Sequence, residues 1–313
     1  MGFLNKKLRI IFVGIPDMAT ICLSNLLIKK FNIVGVVPPR KTHDTYNYFK
    51  SFVLNKGLNL IEFDESTNDV ECVNKIKALN ADIGVVCSYN DKLSKEFLAT
   101  TKMGYINSHP SKLPQYRGAM PYFHIVNNGE KKSGITLHFM DETFDTGDIV
   151  YQNEFDIMPY ETMGTLFNRT TYMISDALIE ILTKLENGEK LNVIPQQKQE
   201  NLIKAPYVAG NFRINWKYDD IFKIERLVRA TNPFFQAYSL FRGVTFQIIK
   251  CRIEKAEHNF EVGKFAKATK DELVVAAKDG FIYPDVFQVG SWGIFNTNEF
   301  YQIFSPREDE FLI

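Results

Sequence analysis

The sequence predicts an α/β domain with a mostly parallel sheet, followed by a small β-rich domain. In the first third of the chain, short apolar runs alternate with segments of helical spacing, as in parallel sheets covered on both faces. In the last third, short apolar runs follow one another with glycine turns between them, which is typical of a small barrel or sandwich. The length of 313 residues also favours two domains, which we place at residues 1–205 and 206–313.

The first domain begins with an alternation of predicted strands and helices. The strands are Leu8–Val13, Asn32–Val37, Leu58–Phe63, Ile83–Cys87 and Gly104–Asn107, and the helices are Met18–Lys30, Tyr46–Asn55, Val70–Leu79 and Ser94–Thr100. Ligands of such sheets bind beyond the carboxyl ends of the strands. The segments expected there are Gly14–Asp17, Pro38–Arg40, Ser88–Asp91 and Asn107–His109.

The rest of the chain continues with helical and strand patterns. After Gly118 we predict a helix, the strand Gly134–Met140, the helix Thr162–Glu186 capped by Thr162, a connector over Leu191–Ala209 and the helix Asp219–Arg229. The short β-like runs of the second domain are Tyr238–Phe241, Thr245–Cys251, Lys264–Ala268, Leu273–Ala277 and Phe281–Tyr283.

Composition argues against several classes of protein. Apolar residues make up 45% and charged residues 24%, and 37 Lys+Arg balance 37 Asp+Glu, which argues against a large phosphate-binding surface. The scattered cysteines indicate reduced core residues in place of disulfides or a metal site. The apolar run Leu8–Val13 is too short for a membrane span or a secretion signal. We therefore expect a cytoplasmic protein with no membrane partner and no metal.

The segment from Gly104 to Val150 carries the residues best suited to chemistry. Asn107 and His109 follow a predicted strand, and Asp145 follows the strand Gly134–Met140. An amide, an imidazole and a carboxylate are thereby delivered to neighbouring loops. Such a trio can polarise a carbonyl group, accept a proton from an amine and hold the imidazole in one tautomer.

These motifs together resemble the folate-dependent formyltransferase family. Its signature is Asn-x-His, then a Leu-Pro-x-x-Arg-Gly turn, then Asp-x-Gly, and the matching residues here are Asn107, His109, Leu113, Pro114, Arg117, Gly118, Asp145 and Gly147. The segments Val13–Ala19, Ser88–Leu93, Ile214–Trp216 and Arg229–Pro233 also look like parts of this family. The resemblance runs from about residue 8 to 250 and depends on the order of the motifs, since any one alone is weak evidence.

The resemblance implies a Rossmann-like formyltransferase domain, an OB-like C-terminal domain, 10-formyltetrahydrofolate as the donor and an amine as the acceptor. Asn107 would donate a hydrogen bond to the formyl oxygen, His109 would take the amine proton, and Asp145 would orient His109. The expected folate contacts are Cys87, Ser88, Tyr89, Asn90, Asp91 and Phe144. The expected acceptor contacts are Gly14, Ile15, Pro16, Arg40 and Lys41. Neither a metal nor a covalent intermediate is required.

Structural roles compete with these assignments. Asn107 can cap a turn, and Asp145 can form an Asx-turn. For Arg117 we favour orientation of the loop over contact with a ligand. His138, on the strand before Asp145, is either packing or an indirect support of the site.

Two kinds of acceptor fit the resemblance: an amino sugar attached to a nucleotide, and methionine on initiator tRNA. The segment after Val37 lacks the long basic loop of tRNA-directed members, and residues 206–313 contain 14 Lys+Arg against 14 Asp+Glu. Lys112 stands where tRNA-directed members have leucine, and the stretch Ile135–His138 looks more like members that act on small amines. We therefore favour the sugar, for example a 4-amino-4,6-dideoxy sugar of surface polysaccharide.

Other interpretations stay open. The acceptor can be another small amine, or the chain can be an inactive folate- or nucleotide-binding module. Sugar-modifying members are often dimers through the C-terminal domain, and the apolar surface expected around Phe281–Phe300 would suit a homodimer.

Overall fold

A computed structural model describes residues 7–67, 69–89, 91–197 and 200–313 of the chain. The chain divides into two compact units. The first runs through Pro121 and adds Lys132–Asp156 and Phe167–Pro206; the second consists of Tyr122–Lys131, Ile157–Leu166 and Tyr207–Ile313. The division at residues 205 and 206 stays a prediction about domains that fold independently.

A mostly parallel sheet of six strands organises the first unit. Its strands are β1 (Arg9–Gly14), β2 (Asn32–Val37), β3 (Ile83–Cys87), β4 (Tyr105–His109), β5 (Lys132–Phe139) and β6 (Ile149–Asp156), in the order β2-β1-β3-β4-β5-β6. The strands β1 to β4 are parallel, whereas β5 and β6 are antiparallel to their neighbours. Strand β3 is buried along its whole length, as expected for the centre of a sheet covered on both faces.

Helices follow the parallel strands as the periodicity predicted. They are α1 (Met18–Ile28), α2 (Tyr46–Asn55), α3 (Val70–Ala78), α4 (Lys95–Leu98), α5 (Pro121–Asn127) and α6 (Met163–Glu186). Thr162 caps α6, because its hydroxyl accepts a hydrogen bond from the N–H of Thr165 at 3.2 Å. Within the described ranges, the chain contains no helix with both the length and the apolar character needed to cross a bilayer.

The second unit contains an antiparallel sheet with one helix before it and one after it. Its elements are α7 (Ile221–Thr231), β7 (Ala237–Phe241), β8 (Val244–Lys255), β9 (Phe265–Ala268), β10 (Leu273–Ala277), β11 (Gly280–Val289), β12 (Gly293–Asn296) and α8 (Thr297–Phe304). The strand order is β7-β8-β11-β10-β9, with β12 paired to β11. Stacked and edge-on phenylalanine rings fill the core, among them Phe246 and Phe287 at 4.4 Å between centroids. The predicted fold class, an α/β domain followed by a smaller β-rich domain, is confirmed.

The predicted strand over Leu58–Phe63 is wrong. Only one isolated parallel bridge forms there, between Leu60 and Val36, while Ile61 and Phe63 pack into the core beneath the sheet. The alternating apolar residues that predicted a strand are thus explained by burial in an irregular segment.

Strand β6 was not predicted, and neither were β12 and α8. From Gln152 to Glu154, β6 is exposed because it lies at the edge of the sheet, so its polar sequence carries little apolar signal. Strand β11 continues well past the predicted end at Tyr283. Pro284 lies at a register shift in the pairing of β11 with β8, which is one of the few places where a strand accommodates proline.

Candidate active site

The amide, imidazole and carboxylate singled out in the sequence lie close together at the end of β4. Asn107 and His109 are two residues apart on this strand, so their side chains point to the same side of the sheet. Asp145 reaches them from the loop between β5 and β6. Its Oδ1 lies 3.5 Å from Nδ1 of His109 and 3.7 Å from Nε2 of His138. Nδ2 of Asn107 is 3.2 Å from the same nitrogen of His138.

His109 is held in one tautomer by the backbone. Its Nε2 lies 2.9 Å from the carbonyl oxygen of Tyr116, and because a carbonyl only accepts hydrogen bonds, Nε2 must carry the hydrogen. In the neutral ring Nδ1 is then the basic nitrogen, and it faces the carboxylate of Asp145. Burial lowers the pKa of His109, although Asp145 opposes that shift. The neutral ring is therefore favoured, and a proton taken up at Nδ1 would form an ion pair with Asp145.

Asp145 is held in its ionised form. Burial by itself favours the neutral acid, but the neighbouring His109 and His138 rings and a hydrogen bond from the backbone outweigh it and lower the pKa of Asp145 to about 2. The backbone donor is the N–H of Gly118, which lies 3.0 Å from Oδ2. Gly118 has a φ of 125°, and a Cβ there would lie 2.5 Å from the carbonyl oxygen of Ala205, so only glycine fits.

The turn that contains Leu113, Pro114, Arg117 and Gly118 shapes the wall of the site. The backbone N–H of Leu113 donates a hydrogen bond to the hydroxyl of Thr136 on β5 at 3.2 Å. The guanidinium group of Arg117 donates to Oε1 of Gln196 at 2.5 Å. This contact agrees with the expectation that Arg117 orients the loop.

His138 completes the site from β5. Its Nδ1 lies 2.8 Å from the carbonyl oxygen of Phe139, so this nitrogen carries the hydrogen and leaves Nε2 to accept from the amide of Asn107. The sequence suggested only an indirect role for His138, and the structure places it between Asn107 and Asp145.

Gln196 is a residue of this region that sequence reasoning missed. It lies in the polar connector after α6, where no periodicity marks it. The nearest signal is the contrast between an apolar pair, Val193 and Ile194, and the polar residues after it. Nothing in that pattern connects Gln196 to Asp145.

Three of the six residues expected to contact folate, Tyr89, Asp91 and Phe144, line a small cavity in front of Asn107. Its lining residues are Tyr89, Asp91, Lys92, Leu93, Asn107, His138, Met140, Asp141, Thr143, Phe144 and Asp145. Its volume is about 40 Å³. Phe144, at the rim, is 57% exposed. The side chain of Cys87 is buried at the end of β3, Ser88 follows it, and Asn90 lies outside the described residues.

The first loop, Gly14–Pro16, lies against Cys87 and Ser88 at the end of β3. The N–H of Ile15 points at the carbonyl oxygens of Cys87 and Ser88, at 3.2 and 3.0 Å. A Cβ on Gly14 would lie 2.7 Å from the carbonyl oxygen of Cys87. The close approach of β1 and β3 therefore requires glycine at position 14.

Arg40 lines a second, larger cavity of about 330 Å³. Tyr89 and Asp91 line both this cavity and the small one in front of Asn107. Its guanidinium group forms two hydrogen bonds with Asp69, at 3.2 and 2.6 Å, and lies 3.5 Å from Asp91. It also stacks 4.7 Å from the centre of the Phe63 ring. Its charge is thus already balanced by two carboxylates, whereas the expected acceptor contact Lys41 is exposed. Among the described residues, no group of three or more His, Cys, Asp or Glu side chains is arranged to hold a metal ion.

Comparison with known proteins gives matches over both units. The formyl transferase family model matches residues 31–182, and the model of the formyl transferase C-terminal domain matches residues 208–304. The methionyl-tRNA formyltransferase of Alkaliphilus oremlandii is 34% identical over 86% of this chain and 88% of its own length. That of Thermodesulfovibrio yellowstonii is 33% identical over 93% and 94%.

Two solved structures share a similar fold with this chain. The sugar 3N-formyl transferase WlaRD, crystallised with dTDP and 5-N-formyl-THF, has a TM-score of 0.67 at 21% identity and covers 90% of this chain and 98% of its own. An N-formyltransferase from Helicobacter canadensis, complexed with folinic acid and dTDP-3-aminofucose, has a TM-score of 0.67 at 20% identity over 88% and 98%. On the strength of the family models and the full-length relatives, the chain belongs to the formyl transferase family.

Proposed function

We propose that this protein transfers the formyl group of 10-formyltetrahydrofolate to the amino group of a nucleotide-linked amino sugar, such as a 4-amino-4,6-dideoxy sugar. The observation that carries the proposal is the convergence of Asn107, His109 and Asp145 on one edge of the sheet, with the Asp145–His109 distance at 3.5 Å. A hydrogen-bond donor, a neutral base and an ionised acid are the groups that formyl transfer to an amine requires.

Each of these side chains has a role in the transfer. The amine nitrogen attacks the formyl carbon, and negative charge develops on the formyl oxygen. One N–H of Asn107 donates to His138; its second N–H is available to that oxygen, an interaction worth roughly 3–4 kcal/mol in other acyl-transfer sites. His109 takes the amine proton and returns it to the departing folate nitrogen. Asp145 stabilises the cationic ring between these steps.

The folate pterin is proposed to bind between the Cys87–Asp91 loop and the loop that contains Phe144. The cavity of about 40 Å³ requires one of these loops to move before a pteridine enters. The exposed Phe144 loop is the better candidate, because the hydrogen bonds that Asp141 forms with described residues stay within the same loop, with Thr143 and Thr146. The bound 5-N-formyl-THF of WlaRD supports a folate donor for this fold.

The charge distribution of the second unit supports a small acceptor over tRNA. Many of its cations are paired with nearby carboxylates: Lys223 with Asp219, Arg229 with Glu225, Arg242 with Glu310, Arg252 with Asp285, Lys267 with Glu272 and Arg307 with Asp309. Tight tRNA binding requires a cluster of cations that is not already neutralised. The segment between β2 and α2, Pro38–Thr45, is also short.

A second candidate acceptor is methionyl initiator tRNA. Full-length relatives at 33% and 34% identity are methionyl-tRNA formyltransferases, and they match both units of this chain. Because these relatives share more of the sequence than the sugar enzymes of similar fold do, both acceptors must be tested side by side.

The deciding experiment supplies 10-formyltetrahydrofolate together with a panel of nucleotide-linked 3-amino and 4-amino sugars, or with methionyl initiator tRNA. Mass spectrometry of the products should show an N-formyl sugar in the wild type and none in a His109→Ala control purified in the same way. Formylation of the tRNA, with no sugar modified, would establish the second candidate. Tight folate binding without transfer to any acceptor would indicate an inactive binding module.

We also propose a cytoplasmic homodimer. In the second unit, Trp292, Ile294 and Ile303 are 58%, 61% and 63% exposed, and only one charged residue, Glu299, occurs between positions 290 and 305. An uncharged aromatic surface suits contact with an identical copy. Light scattering should give the dimer mass for the wild type and the monomer mass for Trp292→Glu.

A further inference from the structure

Gln196 reaches the Asp145 loop because of a short pairing at the start of β6. The backbones of Ile194 and Ile149 form an isolated antiparallel bridge, with both hydrogen bonds at 2.8 Å. This bridge carries the connector along the end of the β5–β6 loop and places the side chain of Gln196 beside the residues 145–147.

Among the described residues, the side chain of Gln196 forms three hydrogen bonds, and all three go to motif residues. Its Nε2 donates to the carbonyl oxygen of Asp145 at 3.0 Å and to that of Gly147 at 2.7 Å. Its Oε1 accepts from the guanidinium group of Arg117. The partners fix the orientation of the amide, because carbonyl groups only accept hydrogen bonds and a guanidinium group only donates them.

The turn that Gln196 holds is an unfavourable one for the backbone. Asp145 has a φ of 57°, in the left-handed region that residues with a Cβ rarely adopt. At Gly147 an added Cβ would lie 1.9 Å from the carbonyl oxygen of Phe139. Such a conformation persists only when surrounding contacts enforce it. Among the described residues, the contacts that hold this turn include the hydrogen bond from the N–H of Gly118 to the carboxylate of Asp145, those from the amide of Gln196 to the backbone, and that from the hydroxyl of Thr146 to Asp141.

We infer that Gln196 is a positioning residue for formyl transfer: it couples the Arg117 turn to the Asp145 turn and so aims Oδ1 of Asp145 at His109. The inference rests on the proposed function of the site, since it assigns Gln196 a task within that chemistry. The contact is indirect, because Gln196 bonds to the main chain of Asp145 and not to the reacting groups.

The test uses the titration of His109, which needs neither substrate. The charged and titratable groups that act on its ring are Asp145, His138 and Arg117. Asp145 raises the pKa of His109, so a carboxylate that turns away leaves a lower pKa. Gln196→Met keeps the size of the side chain and removes all three hydrogen bonds. Gln196→Leu removes the same three hydrogen bonds with a branched apolar side chain and adds no charge near His109. Gln197→Met, at the exposed neighbouring position, is the matched control.

NMR titration of the folded proteins, with the His109 signal assigned by its absence in His109→Gln, should show a lower pKa in both Gln196 variants and an unchanged one in Gln197→Met. In the formyl-transfer assay, kcat of the Gln196 variants should fall at least tenfold while the KM for folate changes little. A His109 pKa that is the same in the wild type and in both Gln196 variants would overturn the inference. Absence of formyl transfer in the wild type would overturn the proposed function instead, and the titration would still decide the role of Gln196.

Discussion

The two ring nitrogens of His109 have different partners, and these partners determine which nitrogen is free to take up a proton. Nε2 of His109 is bound to a backbone carbonyl, so Nδ1, which faces Asp145, is the nitrogen that can take the proton in the proposed transfer. Burial keeps the ring neutral, while the carboxylate stands ready to stabilise it once protonated. Asn107 is supported in the same way, because His138 accepts one of its two N–H groups and thereby orients the other. Each proposed reactive group is thus oriented by a neighbour.

The first prediction concerns the amide donor. Asn107→Ala should lower kcat by about 10²–10³, because a lost donor to a developing oxyanion costs that much in other acyl-transfer enzymes. The KM for folate should change little, since this contact strengthens only in the transition state. Steady-state kinetics give both values. The control Asn187→Ala, at an exposed position beyond the end of α6, should keep the wild-type rate; a rate near wild type for Asn107→Ala would contradict the assigned role.

The second prediction concerns pH. The folded state lowers the pKa of His109 below the value of about 6.5 that it has in an unfolded chain. As pH falls through this value, the unfolded chain binds a proton that the folded protein resists, so the free energy of unfolding decreases. Asp145, with a folded pKa of about 2, adds a further loss only as pH falls from about 4 towards 2.

Urea unfolding at pH 7.5 and at pH 5.5 isolates the contribution of His109 to the pH dependence of the free energy of unfolding. The free energy of unfolding should drop more on acidification in the wild type than in His109→Gln, which cannot take up the proton. An equal drop in both proteins would show that His109 does not resist protonation in the folded state.

At the scale of elements, the loop between β5 and β6 is the part that the whole site depends on. It carries Asp145 and Phe144, and it forms a turn that only glycine permits at position 147, where a Cβ would lie 1.9 Å from the oxygen of Phe139. The pairing of β5 with β6 shifts register between Leu137 and His138, so irregular backbone continues from the strand into the loop where the chemistry is proposed to take place.

The third prediction follows from this turn. Gly147→Ala should destabilise the protein by about 1–3 kcal/mol, as expected for an overpacked site, and should abolish measurable turnover because the Asp145 carboxylate is displaced. Thermal unfolding and kinetics measure the two effects. Gly210→Ala is the matched control, since no atom lies within 4 Å of a Cβ there. Gly147→Ala with wild-type activity would show that the geometry of the turn is not needed.

Local patterns explain why some elements were predicted and others were not. The strands Asn32–Val37 and Ile83–Cys87 and the helix Tyr46–Asn55 have the predicted bounds, because each combines strong periodicity with clear turn residues. Strand β6 is polar because one edge of the sheet faces solvent, and its pairing partners come from tertiary structure. The proximity of His109 and Asp145 was expected from the motifs, whereas Gln196 reaches them through a two-residue bridge that leaves no periodic pattern.

At the scale of the whole molecule, the second unit has a complete core of its own within residues 206–313. The rings of Phe241, Phe246, Phe287 and Phe300 contact one another there. The same unit also includes residues 122–131 and 157–166. Two arginines of α7 bind these segments: Arg226 donates to the carbonyl oxygen of Asn127 and Arg229 to that of Glu161, at 3.0 and 2.9 Å.

The fourth prediction is that residues 206–313, expressed alone, fold but melt at a lower temperature than the corresponding unit of the full chain. The two lost hydrogen bonds from the arginines are worth on the order of 1–3 kcal/mol each. Circular dichroism and calorimetry of the fragment and the full chain make the comparison. A fragment without a cooperative transition would contradict the domain division at residue 206.

The most direct test of the proposed chemistry follows the formyl carbon from donor to product. 10-Formyltetrahydrofolate labelled with ¹³C in the formyl group is incubated with the protein and a nucleotide-linked amino sugar, and the products are examined by NMR. Within the time in which the wild-type protein transfers the label to an amide bond on the sugar, Asn107→Ala and His109→Ala should leave nearly all of the label on folate. Label transferred equally well by these two folded variants, or label left on folate by the wild type with every amine supplied, would contradict the account.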